Sequence, residues 1–292
     1  MEKVKKLGKE KGILIILIST FITCFICLNF SGNLEDNKQK GITTIQEVLE
    51  DDPLLMIYKE KYKIRHASLW KSISLYPKEV FLTFDDGPSK NNTLSIIDIL
   101  NHNSVKATFF VIGQRVEIYP EIIKQMNASG MCIAAHTYTH KYTDIYRSTE
   151  AYLKDMEKCN NAIKTLTNKN NFSYVRMPGG SDNKVSNSET LKEIRMTLKK
   201  KNIYYVDWNV SSEDSLGRNI DALKIKQNIV SQSRGKSMVV VLMHDSYNKV
   251  NTVNSLQEVI SYFKKHDYTF RTFNDLTEEE KEKMIKKEVL NR

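Results

Sequence analysis

From Val80 onward the sequence alternates short apolar runs with helical patterns, and this constrains its fold more than any other feature. β-Rich runs occur at Val80–Phe84, Ala107–Ile112, Cys132–Ala135, Ser173–Met177, Tyr204–Val210, Ser237–Met243 and Thr269–Phe273. Helical patterns fill the intervals at Thr93–His102, Pro120–Ala128, Thr149–Thr167, Glu189–Lys201, Ala222–Ser233 and Val253–His266. Ile96, Ile97, Ile99 and Leu100 mark one apolar helix face, and Ile122, Ile123 and Met126 another. Short apolar strands that alternate with helices imply right-handed crossovers and a parallel sheet. About seven strands in roughly 200 residues suit a distorted (β/α) barrel, with a doubly wound open sheet as the alternative.

The 292 residues are 40% hydrophobic, enough for a sizeable core, and carry a formal net charge of +9. Patches such as Lys199-Lys200-Lys201 fall on a predicted helix and read as a solvated face. No zinc-finger spacing, aromatic RNA-binding motif or Arg-rich arm accompanies the charge, so no nucleic-acid partner is expected. A basic surface equally suits an anionic membrane or a wall polymer. Of the four cysteines, Cys24 and Cys27 lie in an N-terminal apolar run, and Cys132 and Cys159 in a predicted strand and helix. Their positions form neither a disulfide framework nor a zinc ribbon.

Lys3, Lys5, Lys6, Lys9 and Lys11 precede an uncharged stretch from Ile13 to Phe30. That stretch exceeds the core of an ordinary cleaved signal peptide and falls within the range of a membrane helix. No small-x-small cleavage site follows it. Residues 1–32 therefore read as a cytoplasmic basic segment and signal-anchor helix, with the C-terminal bulk outside the cell membrane. Secretion after cleavage is the alternative. Residues 33–76 read as a stem or linker. Residues 276–292 read as a charged tail, either a solvated helix or a frayed end.

In β/α barrels, active sites gather at the C-terminal ends of the strands. Asp85 and Asp86 follow the first strand, and Gly87-Pro88 supplies the turn that lets neighbouring carboxylates share one site. His136 and His140 follow the third strand. Arg176, Pro178, Gly179 and Gly180 follow the fourth, Glu213 and Asp214 lie beyond the fifth, and His244 ends the sixth. Two imidazoles four residues apart fall on one side of a helix or tight loop, where they can share a metal. With one carboxylate they make a three-ligand set with open positions, the pattern of a catalytic zinc site; iron or another divalent ion fits the same set.

Five segments resemble, in order and spacing, the motifs of the polysaccharide deacetylase family, the NodB-homology carbohydrate esterases. They are Thr83-Phe84-Asp85-Asp86-Gly87-Pro88-Ser89, Ala107-Thr108-Phe109-Phe110-Val111-Ile112-Gly113, His136-Thr137-Tyr138-Thr139-His140, Arg176-Met177-Pro178-Gly179-Gly180 and Leu242-Met243-His244. The resemblance runs from Pro77 to Phe273 and implies a catalytic domain over residues 77–275. It implies Asp85 as general base, Asp86, His136 and His140 as metal ligands, Arg176 as partner of the base and His244 as general acid. It further implies Asp214 as the acid that orients His244, and Leu242 as the lining of the acetyl-methyl pocket. A backbone N–H near Gly179 would hold the oxyanion together with the metal, expected to be Zn2+.

The activity so implied is metal-dependent de-N-acetylation of a cell-wall glycan that releases acetate. Peptidoglycan N-acetylglucosamine is the first expectation. Muramic acid, chitin-like or exopolysaccharide chains and xylan are the alternatives, and a catalytically silent glycan-binding protein is the contrasting class. Two departures stand out. The family's Asp-Ser-x-Asp-Trp segment reads Ser211-Ser212-Glu213-Asp214-Ser215 here, and Gly179 stands where an aromatic often follows the proline. Both changes would open the sugar groove. Asp207-Trp208 sits too early to replace the missing pair, on the strand itself.

Overall fold

The computed structural model describes residues 78–292, apart from 169–172 and 218. The expected anchor helix and stem lie outside the described residues. The chain runs β1 (Lys78–Asp85), α1 (Asn92–His102), β2 (Thr108–Val111), α2 (Gly113–Ile118), α3 (Pro120–Ala128), β3 (Cys132–Ala135), α4 (Tyr142–Ile145) and α5 (Thr149–Thr167). It continues through β4 (Tyr174–Val175), α6 (Ser188–Lys200), β5 (Tyr204–Tyr205), β6 (Val210–Ser211), α7 (Ala222–Ser233), β7 (Met238–His244), α8 (Val250–Lys265), β8 (Tyr268–Phe270), a 3-10 turn (Phe273–Asp275) and α9 (Glu278–Lys286). Several helices start where a side chain can accept an orphan N–H: Ser148 caps α5, Asn187 caps α6 and Asp221 caps α7.

Seven strands follow one another in the order β5-β4-β3-β2-β1-β7-β6, every pairing parallel, and β8 also pairs with β1. The doubly wound alternative fails on one observation. β5 and β6 are four residues apart in sequence yet stand at opposite ends of that order. The row must therefore curl until its two edges approach, as a half-closed barrel does. The predicted fifth strand, Tyr204–Val210, is accordingly two strands, and residues 206–209 cross the gap between the edges. The crossing peptides find partners in a buried side chain and on the neighbouring strands. Arg176 Nε donates to the carbonyl of Val206 at 3.1 Å and its Nη2 to that of Asp207 at 3.2 Å. Asn209 takes the N–H of Val240 and donates to the carbonyl of Met238.

Strand alternation sorts the core into two layers. Val80, Leu82 and Phe84 of β1 face the helices, in a cluster with Ile96, Phe109, Ile123 and Val241. Phe81 faces the barrel interior with Phe110, Cys132, Ala134, Tyr174, Met238 and Val240. The interior is completed by an element expected to be solvated or frayed. Met284, Val289 and Leu290 of the C-terminal segment are buried in it, Asp207 N–H donates to the carbonyl of Val289, and Val206 bridges Leu290. Charge dominates the composition of α9, but these three apolar side chains decide its placement. Apolar side chains fill most of this interior, and the titratable residues singled out from the sequence gather at the C-terminal ends of the strands.

Candidate active site

Asp85 ends β1 and His244 ends β7, and the parallel register puts them side by side. Two residues earlier in the same register, Thr83 stands beside Leu242, which is buried on the interior face below His244. Asp86 has a left-handed backbone, φ 75°. That turn breaks the strand alternation and lets two consecutive carboxylates reach one site, in a conformation Asp tolerates better than most residues.

Asp86 Oδ1 stands 3.2 Å from His140 Nε2 and 3.6 Å from His136 Nε2. One ligand atom from each of the three residues lies within 4.8 Å of the others. Donors about 2.1 Å from a tetrahedral ion lie roughly 3.4 Å apart, close to the two separations from Asp86 to the histidines. The chemistry of the donors agrees. His136 Nδ1 sits 2.8 Å from the Arg176 carbonyl, which fixes the proton there and leaves Nε2 as the ligand. Burial, aided by the neighbouring His140, lowers the His136 pKa to about 3, so this imidazole stays neutral. Asp86, His136 and His140 are thus a set of three donors that could hold a divalent metal ion.

Asp85 borders this cluster, its Oδ2 3.8 Å from His136 Nε2, and differs from Asp86 in its partner. Arg176 is fully buried, and its Nη1 donates to Asp85 Oδ1 at 2.8 Å and to Thr83 Oγ1 at 2.6 Å. The guanidinium lies 4.2 Å above the Phe110 ring. Arg176 therefore orders both halves of the site, Asp85 through its side chain and His136 through its carbonyl. Burial raises the Asp85 pKa above the usual carboxylate value, with Arg176 and His244 opposing it. A buried carboxylate of raised basicity, held in one rotamer, suits proton abstraction.

Opposite stands a second dyad. Asp214 Oδ1 lies 2.6 Å from His244 Nδ1, and its Oδ2 accepts from the His244 N–H at 2.9 Å and from Thr252 Oγ1 at 2.8 Å. Burial alone would lower the His244 pKa, but the hydrogen bond and charge of Asp214, with Asp86 and Asp85 beyond, raise it to about 9. The same contacts hold Asp214 below the ordinary carboxylate value against its own burial. The structure thus brings Asp214 to His244 although Ser211 and Ser215 flank it in place of the family's Asp and Trp.

Gly179 has φ 78°, and its N–H donates to no acceptor among the described residues. A Cβ on Gly179 would stand 3.2 Å from the ring and hydroxyl of Tyr142, so Tyr142 borders this turn. Tyr142 packs edge-on against His140, with centroids 5.4 Å apart. Sequence reasoning passed over Tyr142, since no spacing ties it to the glycine. The sequence reads Asp207 and Trp208 as strand residues. They lie in the crossing between β5 and β6, where Asp207 holds Ser181 by its N–H and hydroxyl and Trp208 faces Arg176 at 5.7 Å. Only the splitting of the fifth strand brings them here.

Three side chains converge as a metal-ligand set, a separate carboxylate is held by a buried arginine, and a histidine–aspartate dyad faces it at the mouth of a parallel barrel. Those features define a metal-assisted hydrolase. The chain belongs to the polysaccharide deacetylase family, whose model matches residues 74–198. The catalytic domain of a peptidoglycan N-acetylglucosamine deacetylase from Eubacterium rectale is 35% identical, with a TM-score of 0.63 over 69% of this chain and 89% of that one. A peptidoglycan-N-acetylglucosamine deacetylase of Bacillus cereus is 28% identical over 202 residues, 68% of this chain and 70% of that protein. The peptidoglycan-N-acetylmuramic acid deacetylase PdaA of Bacillus subtilis is 28% identical over 200 residues, 68% of this chain and 71% of that protein.

Proposed function

We propose that the protein removes acetyl groups from N-acetylglucosamine in peptidoglycan and does so outside the cell, anchored by residues 13–30. The observation that carries the catalytic reading is the division of labour between adjacent carboxylates. Asp86 lies in the ligand cluster with His136 and His140, whereas Asp85 is held by Arg176. When bound at that cluster, the divalent cation, zinc on this donor set, supplies Lewis acidity toward the acetyl carbonyl and the attacking water. Asp85 takes the proton of that water. The unpaired Gly179 N–H stabilises negative charge on the carbonyl oxygen as the carbon becomes tetrahedral. An amine leaves poorly unless protonated, and His244, held protonated by Asp214, gives its proton to the sugar nitrogen. Leu242, apolar and buried beside His244, walls the space for the acetyl methyl. The products are acetate and a glucosamine that gains positive charge.

Localisation rests on the lysine-flanked apolar run at the N-terminus, and the substrate on that address together with the peptidoglycan relatives. Acetate release compared across defined peptidoglycan, chitin and xylan fragments tests both substrate and reaction. Metal-dependent release from peptidoglycan fragments, retained on N-acetylglucosamine and absent from muramic acid, is expected. Release from xylan alone, or from none, overturns the proposal. Membrane fractionation with protease added to intact cells tests the address, and a protease-resistant catalytic domain contradicts it.

A further inference from the structure

His136 and His140 converge although they are not on a helix. They flank the irregular segment Thr137–Thr139, with left-handed backbone at Thr137 (φ 67°) and at His140 (φ 57°). A threonine and a histidine adopt such angles only when their surroundings dictate them. The surroundings are explicit. The carbonyls of Thr137 and Tyr138 accept from the N–H groups of Gly113 and Gln114, each at 3.0 Å. The N–H groups of Tyr138 and Thr139 turn to one side chain on α5. Asp155 Oδ1 accepts from Tyr138 N at 2.5 Å and Thr139 N at 3.1 Å, and its Oδ2 accepts from Thr139 Oγ1 at 2.9 Å. Tyr138 is pinned at its far end by Glu117 Oε2 at 2.8 Å, with Lys158 Nζ 3.8 Å over its ring.

We infer that Asp155 is a positioning residue for the metal ligands: its three hydrogen bonds hold Tyr138 and Thr139 between the left-handed turns at Thr137 and His140, the conformation that aims His136 and His140 at Asp86. It sets the affinity for the divalent cation without reaching the cation. The inference rests on the metal reading given above, and it concerns the chain between the ligands, not the ligands. Without Asp155, two adjacent N–H groups lose their acceptor and the segment relaxes toward right-handed backbone, which separates the imidazoles. The ligands would then have to be ordered by the cation itself, at the expense of affinity.

The test compares the full chain with its D155A and D155N variants. Zinc affinity is measured by competition with a chromophoric chelator. Amide exchange of Tyr138 and Thr139 and thermal melting are measured on the metal-free proteins. D155A is expected to weaken zinc binding by about 10- to 100-fold, the range typical for residues that orient metal ligands, and to accelerate both exchange rates. Asn at 155 keeps an oxygen for both N–H groups and turns its amide toward the Thr139 hydroxyl, so D155N should bind zinc within about threefold of the native chain. If D155A melts earlier yet binds zinc like the native protein, the positioning role is refuted and Asp155 serves only stability. If the native chain itself binds no zinc, the metal reading fails, and this inference with it. The milder Thr139→Val variant, which removes the Oγ1 bond to Asp155 together with the long 3.4 Å bond from Lys141 N–H, carries the same test should D155A not fold: a loss of about two- to tenfold in affinity supports the role, and no loss refutes it.

Discussion

Replacing Asp214 by Asn should move the alkaline limit of activity downward by two pH units or more. His244 must be protonated to give its proton to the leaving nitrogen. In the native protein burial lowers its pKa, and the Asp214 hydrogen bond and charge raise it from 6.5 to about 9. That net rise is worth about 3 kcal/mol in favour of the imidazolium, at about 1.4 kcal/mol per unit. Asn keeps the acceptor for the His244 N–H and Thr252 Oγ1 but presents an amide to Nδ1, so burial is no longer outweighed and the pKa falls to 6.5 or below. At a pH of about 7.5 at most a tenth of the variant's His244 is then protonated, against nearly all in the native protein. Activity should fall at least about tenfold there and recover toward native values as the pH drops below about 6. A cation at the ligand cluster lowers His244 in both proteins, so the shift between them is the quantity to read. The assay is acetate release from an N-acetylglucosamine oligomer across pH, with an NMR titration of His244. The linked stability has a defined sign. A raised folded-state pKa stabilises below 6.5, and that stabilisation is lost as pH rises through about 9. The Tm deficit of the variant should therefore be larger at acidic than at alkaline pH. An alkaline limit within half a unit of native, or a deficit that does not shrink as the pH rises through about 9, would refute the assignment of His244 as the acid.

Asp86→Ala should empty the metal site, whereas Asp85→Ala should leave it filled and the enzyme inactive; metal content by mass spectrometry separates them, and equal loss from both contradicts the division of roles. Arg176→Met strands the buried Asp85 carboxylate without its partner, so unfolding in denaturant should show a loss of about 3–5 kcal/mol, and a loss under 1 kcal/mol counts against Arg176 as a stabilised buried ion pair. Leu290→Ala cavitates the barrel interior and should lower stability by about 2–5 kcal/mol, while a solvated tail would register no change.

Much of this arrangement is legible in the chain because it depends on local order. Strand-length apolar runs separated by helical periodicity are enough to imply parallel crossovers, and the positions just after those runs are enough to nominate Asp85, Asp86, His136, His140, Arg176 and His244. Gly87-Pro88 marks the turn that brings two carboxylates together, since only a chain leaving its strand can point neighbours the same way. The resemblance to deacetylase motifs adds roles that spacing alone leaves open.

What the sequence does not carry is everything decided by closure of the sheet. Tyr204–Val210 reads as one strand because its apolar content is continuous. It is two, because a curling row of strands needs a segment that crosses from one edge to the other, and no local signal distinguishes that crossing from a strand. The crossing delivers Asp207 and Trp208 to the site and gives Arg176 its carbonyl partners. The C-terminal segment reads as solvated because its charges outnumber Met284, Val289 and Leu290, yet those three are buried in the barrel interior. Asp155, an ordinary helix residue in sequence, holds the loop between the two histidines because α5 packs beneath that loop. The order of residues along the chain determined which groups could do the chemistry. Long-range packing decided which of them are held still, because hydrogen bonds and burial between distant segments exist only once the barrel has formed.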